Sequence, residues 1–174
     1  MAIISIGLNP GWHSVTAGIY FANPRNRFWT ACERADLFQG WNVGHAGLEP
    51  RVFQTLVAAR VMGFTDVVKR PTRGANDLRA GDFRRWVPVL ERKLTTLGAA
   101  IVWFHGRVAW RQFVRFSSML ETSSLRGAEV WGEQAVRIGA SRVYVTPNPS
   151  SANAAFSLDA LVGHYRGLRD VTGH

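Results

Sequence analysis

The chain has 174 residues, 47% of them hydrophobic, with seven Trp and ten Phe, enough for one packed domain over residues 1–174 and too much for disorder over most of the length. Twenty-one basic against twelve acidic residues leave a net charge of +9, so an acidic partner is expected, nucleic acid first. The single cysteine, Cys32, excludes an internal disulfide, a thiolate zinc site and an iron–sulfur cluster held by this chain alone, and no metal or cofactor is expected.

Residues 2–6 are a short β-branched run stopped by Gly7-Leu8-Asn9-Pro10-Gly11, which reads as a buried strand ending in a turn. Asn26 can cap a helix beginning near Arg27 that turns Phe28, Trp29, Cys32 and Ala35 inward. Residues 38–50 are Gly-rich without a period and are expected to be loop, after which residues 51–60 return to helical spacing. Residues 61–69 make a weaker strand, ended by Arg70-Pro71-Thr72-Arg73-Gly74. From 82 to 97, Phe83, Trp86, Val87, Leu90, Leu94 and Leu97 recur at helical spacing despite Pro88. Residues 99–104 are the clearest buried strand, followed by Gly106 and a helix over 107–116 whose Trp110, Phe113 and Phe116 read as core. Residues 136–138 and 142–146 are expected to be strands around a Gly139-Ala140-Ser141 turn. Ser157 then caps a last helix with Leu158, Leu161, Val162, Tyr165 and Leu168 on one face. The N-terminal apolar run is too short for a signal core, and no stretch approaches the ~20 apolar residues of a membrane span, so no membrane partner is expected.

Strands alternating with helices predict an α/β fold, a central, mainly parallel, twisted sheet with helices on both faces. Ligands of such sheets sit at the carboxyl ends of the strands. Three strand-ending loops, 7–11, 69–76 and 147–153, should therefore converge. The first lacks the Gly-x-Gly-x-x-Gly of dinucleotide sites and the Gly-Lys-Ser/Thr of phosphate loops, which disfavours nicotinamide and P-loop chemistry. A Gly-x-Ser-x-Gly elbow is missing from the loops, and the chain has no His-Glu-x-x-His. Around the loops stand amide, carboxylate and hydroxyl groups: Asn9, Asp66, Thr72, Asn148, Ser150, Ser151 and Asn153. Such a set can orient a water and hydrogen-bond a heterocycle, and Tyr20 or Phe21 could stack on a base.

Five segments stand in a fixed order: Gly7-Leu8-Asn9-Pro10-Gly11, Phe21-Ala22-Asn23-Pro24-Arg25-Asn26-Arg27-Phe28-Trp29, Gly63-Phe64-Thr65-Asp66-Val67-Val68-Lys69-Arg70-Pro71-Thr72, Trp131-Gly132-Glu133-Gln134 and Asn148-Pro149-Ser150. Jointly, in order and spacing, they resemble the mismatch-specific uracil/thymine DNA glycosylases of the uracil-DNA glycosylase superfamily, from about Ile3 to Leu168. The resemblance implies one uracil-DNA glycosylase-like domain, free of metal. It implies monofunctional hydrolysis of the N-glycosidic bond of uracil in base excision repair, at G:U mismatches first. A monomeric, cytoplasmic protein, held at the nucleoid by its DNA, is expected.

By the same resemblance Asn9 holds the attacking water, Phe21 stacks on the flipped base, and the backbone of Leu8 and Phe21 bonds the base edge. Asn148, Ser150, Ser151, Ala152 and Asn153 engage the opened strand, Ser150 as a phosphate ligand. Asp66 stands where the family carries Asn in some members and Lys in others. Its carboxylate could accept the N3–H of uracil, or face the sugar, stabilise developing positive charge and deprotonate the water; a surface ion pair with Lys69 or Arg70 is the structural alternative. Thr72 reads as a turn hydroxyl after Pro71, and Asn23 stands where relatives often carry His. The family places a bulky or basic wedge where this chain has Ala152 and Asn153, which predicts weaker dependence on the opposite base and acceptance of single-stranded DNA.

Lys69 and Lys93 are the only lysines, and neither is expected to act as a nucleophile. His13, His45, His105, His164 and His174 form no ligand spacing and read as surface or hydrogen-bonded. Arg25, Arg27, Arg73 and Arg79 lie on or near the DNA-facing loops as unranked phosphate ligands, with a solvated arginine surface as the alternative. Two rival readings remain open: a non-catalytic damaged-DNA-binding protein on the same scaffold, and a small nucleotide-binding or nucleotide-hydrolysing α/β domain.

Overall fold

The computed structural model describes residues 1–38, 50–120 and 131–173. Five strands, β1 (Ile3–Gly7), β2 (Met62–Asp66), β3 (Ile101–His105), β4 (Gly132–Ile138) and β5 (Ser141–Thr146), form one sheet in the order β2-β1-β3-β5-β4. The first four in that spatial order run parallel, and β4 returns antiparallel to β5 as an edge hairpin. The helices are α1 (Trp12–Ala17), α2 (Phe28–Arg34), α3 (Pro50–Ala58), α4 (Ala80–Leu97), α5 (Arg107–Phe116) and α6 (Leu158–Thr172).

Parallel strands are buried on both faces, which is why β1 and β3 read as unbroken apolar runs. Alternation within each strand divides the core into two. Ile3, Met62, Trp103 and Tyr144 face the helices α2, α3 and α6. Ile4, Ile6, Val102, Phe104, Val143 and Val145 face α4 and α5 through Phe83, Val87, Leu90, Trp110 and Phe113. Phe116, expected in the core, is only partly buried against it. The edge strand β4 alternates half-buried and exposed residues over most of its length, so its outer face is wet.

Local side-chain signals set the starts of two helices, α2 and α6. Asn26 Oδ1 accepts the Phe28 N–H at 2.9 Å, and Ser157 Oγ accepts the Ala160 N–H at 3.1 Å. Helix α4 runs through Pro88 because Phe83, Val87, Leu90 and Leu94 are all buried. Strand β2 ends at Asp66, three residues before 69, and a short 3-10 turn over Ala75–Asp77 follows it. Two further elements depart from the expectation. Strand β4 begins at Gly132, four residues before 136, because an edge strand lacks the apolar run that marks a buried one. Helix α1 was not expected at all: it buries none of its six residues, so no apolar period announces it. The loop expected over 38–50 lies almost entirely outside the described residues, and Pro50 opens α3.

Between β2 on one side and β3 on the other, β1 is the strand from which the chain winds both ways. The crevice at its carboxyl end is where such sheets bind ligands.

Candidate active site

Asp66 closes β2 in register with Gly7 of β1. Its Oδ1 fills the space a side chain at Gly7 would take: a Cβ there would lie 2.3 Å from the oxygen. Glycine at position 7 is thus what admits the carboxylate, which is only 3% exposed. Burial pushes its pKa up to about 7, with Lys69 and Lys93 pulling it back. Tyr20, raised to about 12 by burial first, also feels the Asp66 charge. Among the described residues neither carboxylate oxygen has a hydrogen-bond partner. Asp66 is therefore not a surface ion pair: Arg70 is engaged instead by Asp82, at 2.7 Å. A half-ionised carboxylate at neutral pH, with free lone pairs, is suited to general-base work.

Asn9 lies two residues beyond Gly7. Its amide nitrogen donates to Thr72 Oγ1 at 2.7 Å, to the Arg70 carbonyl at 3.3 Å and to the Pro10 carbonyl at 3.4 Å. Thr72 in turn donates to the Gly74 carbonyl at 2.8 Å. A backbone bridge between Gly11 and Thr72 ties the two loops together. With its NH2 group committed, Asn9 presents Oδ1, an acceptor without a partner among the described residues, to whatever enters the crevice. Thr72 is more than the turn hydroxyl expected; it fixes the rotamer of Asn9.

Phe21 takes the left-handed conformation, φ 58°, rare for a residue with a side chain. Its ring stacks on Phe28, centroids 4.1 Å apart and planes 18° apart, and meets His105 edge-on at 5.0 Å. Phe28 backs one face of a half-buried aromatic platform. His105, the last residue of β3, is fully buried; its Nε2 bonds Ser5 Oγ at 2.7 Å while Nδ1 has no partner. Burial lowers its pKa to about 3, so the imidazole beneath the platform is neutral. The spacing of the five histidines does not set it apart; its place at the end of the most apolar strand is the signal the sequence carries.

The sequence profile of the Uracil DNA glycosylase superfamily matches residues 1–164. The chain belongs to that superfamily. Among solved structures, the solution NMR structure of a "putative Uracil DNA glycosylase" from Methanosarcina acetivorans superposes with a TM-score of 0.61. It is 21% identical, and the match covers 100% of this chain and 92% of that one. At that identity the likeness concerns the fold.

The remaining site loop of this superfamily member follows β5 and meets the β3–α5 turn. Gly106, at φ 97°, donates to the Thr146 carbonyl at 2.7 Å, and a Cβ on it would stand 3.2 Å from that of Asn148. Asn148 and Asn153 spend groups on the loop itself. Asn148 Oδ1 accepts the Ser150 N–H at 2.9 Å, and Asn153 Nδ2 donates to the Asn148 carbonyl at 2.9 Å. Ser151 and Ala152 form the exposed tip, and the Ser150 hydroxyl accepts the Ala152 N–H at 3.3 Å. Leu8 adds its carbonyl to the sheet, accepting the Val68 N–H at 2.9 Å. Among the described residues no three His, Cys, Asp or Glu side chains gather as metal ligands.

Arg27, one of the four arginines read as phosphate ligands, has another task. Its guanidinium donates to the carbonyls of Pro149 (3.3 Å), Ser150 (2.8 Å), Asn153 (3.0 Å) and Phe156. It is the internal clamp of the 147–156 loop. Arg27→Ala is expected to lower stability by about 3 kcal/mol in urea unfolding, since four carbonyls lose a charged donor. The exposed Arg25→Ala should stay within about 0.5 kcal/mol of wild type. Equal midpoints for the two variants would contradict the clamp.

Proposed function

We propose that the chain is a monofunctional DNA glycosylase that hydrolyses the N-glycosidic bond of uracil in DNA, at G:U mismatches first, as a step of base excision repair. The observation that carries this reading is the pairing, across β1 and β2, of a buried carboxylate free of partners with an asparagine whose amide nitrogen is tied down.

The target nucleotide must leave the helix, at a cost of a few kcal/mol that is smallest at a mismatch. Stacking on Phe21 returns part of it, about 1–3 kcal/mol. As the C1′–N1 bond breaks, its electron pair leaves with the base, and positive charge grows on the sugar. The ionised Asp66 stabilises that charge. A water accepted by Asn9 Oδ1 bonds to C1′ and gives its proton to Asp66, from which it passes to solvent or to the uracil anion. Asparagine positions the water and aspartate activates it. By the family resemblance, the backbone of Leu8 and Phe21 bonds the base edge. Lys69 Nζ donates to Thr65 Oγ1, and no lysine is assigned a nucleophilic role. Thr65 precedes Asp66 in the strand and points to the opposite face.

The test is base release from labelled oligonucleotides carrying uracil opposite G, opposite A or unpaired, and thymine opposite G, with abasic sites cleaved by alkali. Release of uracil, fastest opposite G and measurable in single strands given Ala152 and Asn153 in place of a bulky or basic wedge, is expected. Binding without release from any substrate would replace the enzyme with a damage-binding protein.

A further inference from the structure

Trp12 is the only Phe, Tyr or Trp in the exposed class among the described residues, 55% exposed, and it opens a helix that buries nothing. An exposed indole offers a large flat face on which a nucleic-acid base can stack. Its place narrows what that is. Gly11, immediately before it, is bridged in parallel to Thr72, so Trp12 and Arg73 are the residues that follow the bridge on its two strands. Thr72 is the residue that holds Asn9. Within the first turn of α1, Ser14 Oγ accepts the N–H of Ala22 at 3.4 Å, joining the helix to the turn that carries Phe21. Trp12 and Arg73 therefore stand on the rim of the crevice, beside the group that holds the water and the ring that takes the base.

Arg73 is exposed, and its guanidinium has no partner among the described residues, whereas Arg27, Arg70 and Arg79 donate to loop carbonyls or to Asp82. A bare indole beside a free guanidinium in a chain of net charge +9 is complementary to nucleic acid, which offers a base face and a phosphate within one nucleotide. The exposed tip of the 147–153 loop, Ser151 and Ala152, has no side chain large enough to stack.

We propose that Trp12 and Arg73 form the second DNA grip of this enzyme. Trp12 stacks on a base left unstacked beside the extruded nucleotide, and Arg73 takes the adjacent backbone phosphate. The inference rests on DNA being the substrate but not on base release, and binding can be measured apart from chemistry. Fluorescence anisotropy would follow duplexes carrying a tetrahydrofuran abasic analogue opposite G, and the matching intact duplex, for wild type, Trp12→Ala, Trp12→Phe and Arg73→Gln over a range of salt. Trp12→Ala is expected to weaken binding to the abasic duplex about 5- to 100-fold, Trp12→Phe to restore most of it, and the intact duplex to change less. Arg73→Gln should reduce the slope of log K against log salt by about one. Trp12→Ala binding within twofold of wild type, or Trp12→Phe no better than Trp12→Ala, would overturn the grip, while uracil release by the same wild-type preparation would leave the glycosylase reading standing. A wild-type protein that binds neither duplex would overturn both.

Discussion

Asp66→Asn is expected to lower the single-turnover rate of uracil release by about 10²- to 10³-fold, with DNA affinity within a few-fold of wild type. The size follows from removing a general base and the negative charge beside the developing sugar cation together. The same variant should gain stability. In the unfolded chain this carboxyl titrates near 3.8 and in the folded protein at about 7, so between those values the folded state binds the extra proton. Folding is favoured below that window and loses ground as pH rises through 7, by up to ~4 kcal/mol. Asparagine carries no such penalty. Urea midpoints for Asp66→Asn and wild type should nearly coincide at pH 4 and separate in favour of the variant at pH 8. A variant less stable than wild type at pH 8 would show that the carboxylate is compensated in the folded protein.

Asn9→Ala is the second large effect, a fall of about 10²-fold or more in the single-turnover rate through loss of the positioned water. It differs from Asp66→Asn in its pH dependence. Asn9 does not titrate, so the residual activity should still rise through pH 7. Thr72→Val removes the strongest of the three anchors on the Asn9 amide and leaves the two carbonyl partners. A fall of about tenfold is expected, again with the pH midpoint unmoved. A shifted midpoint in either variant would mean that Asn9 and Thr72 act through Asp66 rather than beside it.

The parallel core was legible because strands buried on both faces have to be apolar throughout, and β1 and β3 are. Convergence of the strand-ending loops followed from the direction of those strands. Asn9 and Asp66 were legible as residue types at strand ends and Phe21 as an aromatic residue after the first loop, but their environments were not. Beside Lys69 and Arg70 in sequence, Asp66 suggests a solvated ion pair; its burial depends on the register that sets it over Gly7, two strands that are distant in the chain. Arg27 looked like a phosphate ligand because charge is local information and four carbonyls from 149 to 156 are not. His105 and Trp12 show the converse. A histidine is neutral when the fold buries it, and a tryptophan is exposed when the six-residue helix that carries it buries nothing.

The most direct test of the Asn9–Asp66 centre is the pH profile of single-turnover uracil release from a G:U duplex, from pH 5 to 9, for wild type and Asp66→Asn. The wild-type rate should rise about tenfold per pH unit below 7 and level off above it, while the variant should be slow and flat. A wild-type rate independent of pH across 7, or a variant that keeps both the rate and the rise, would contradict a catalytic Asp66.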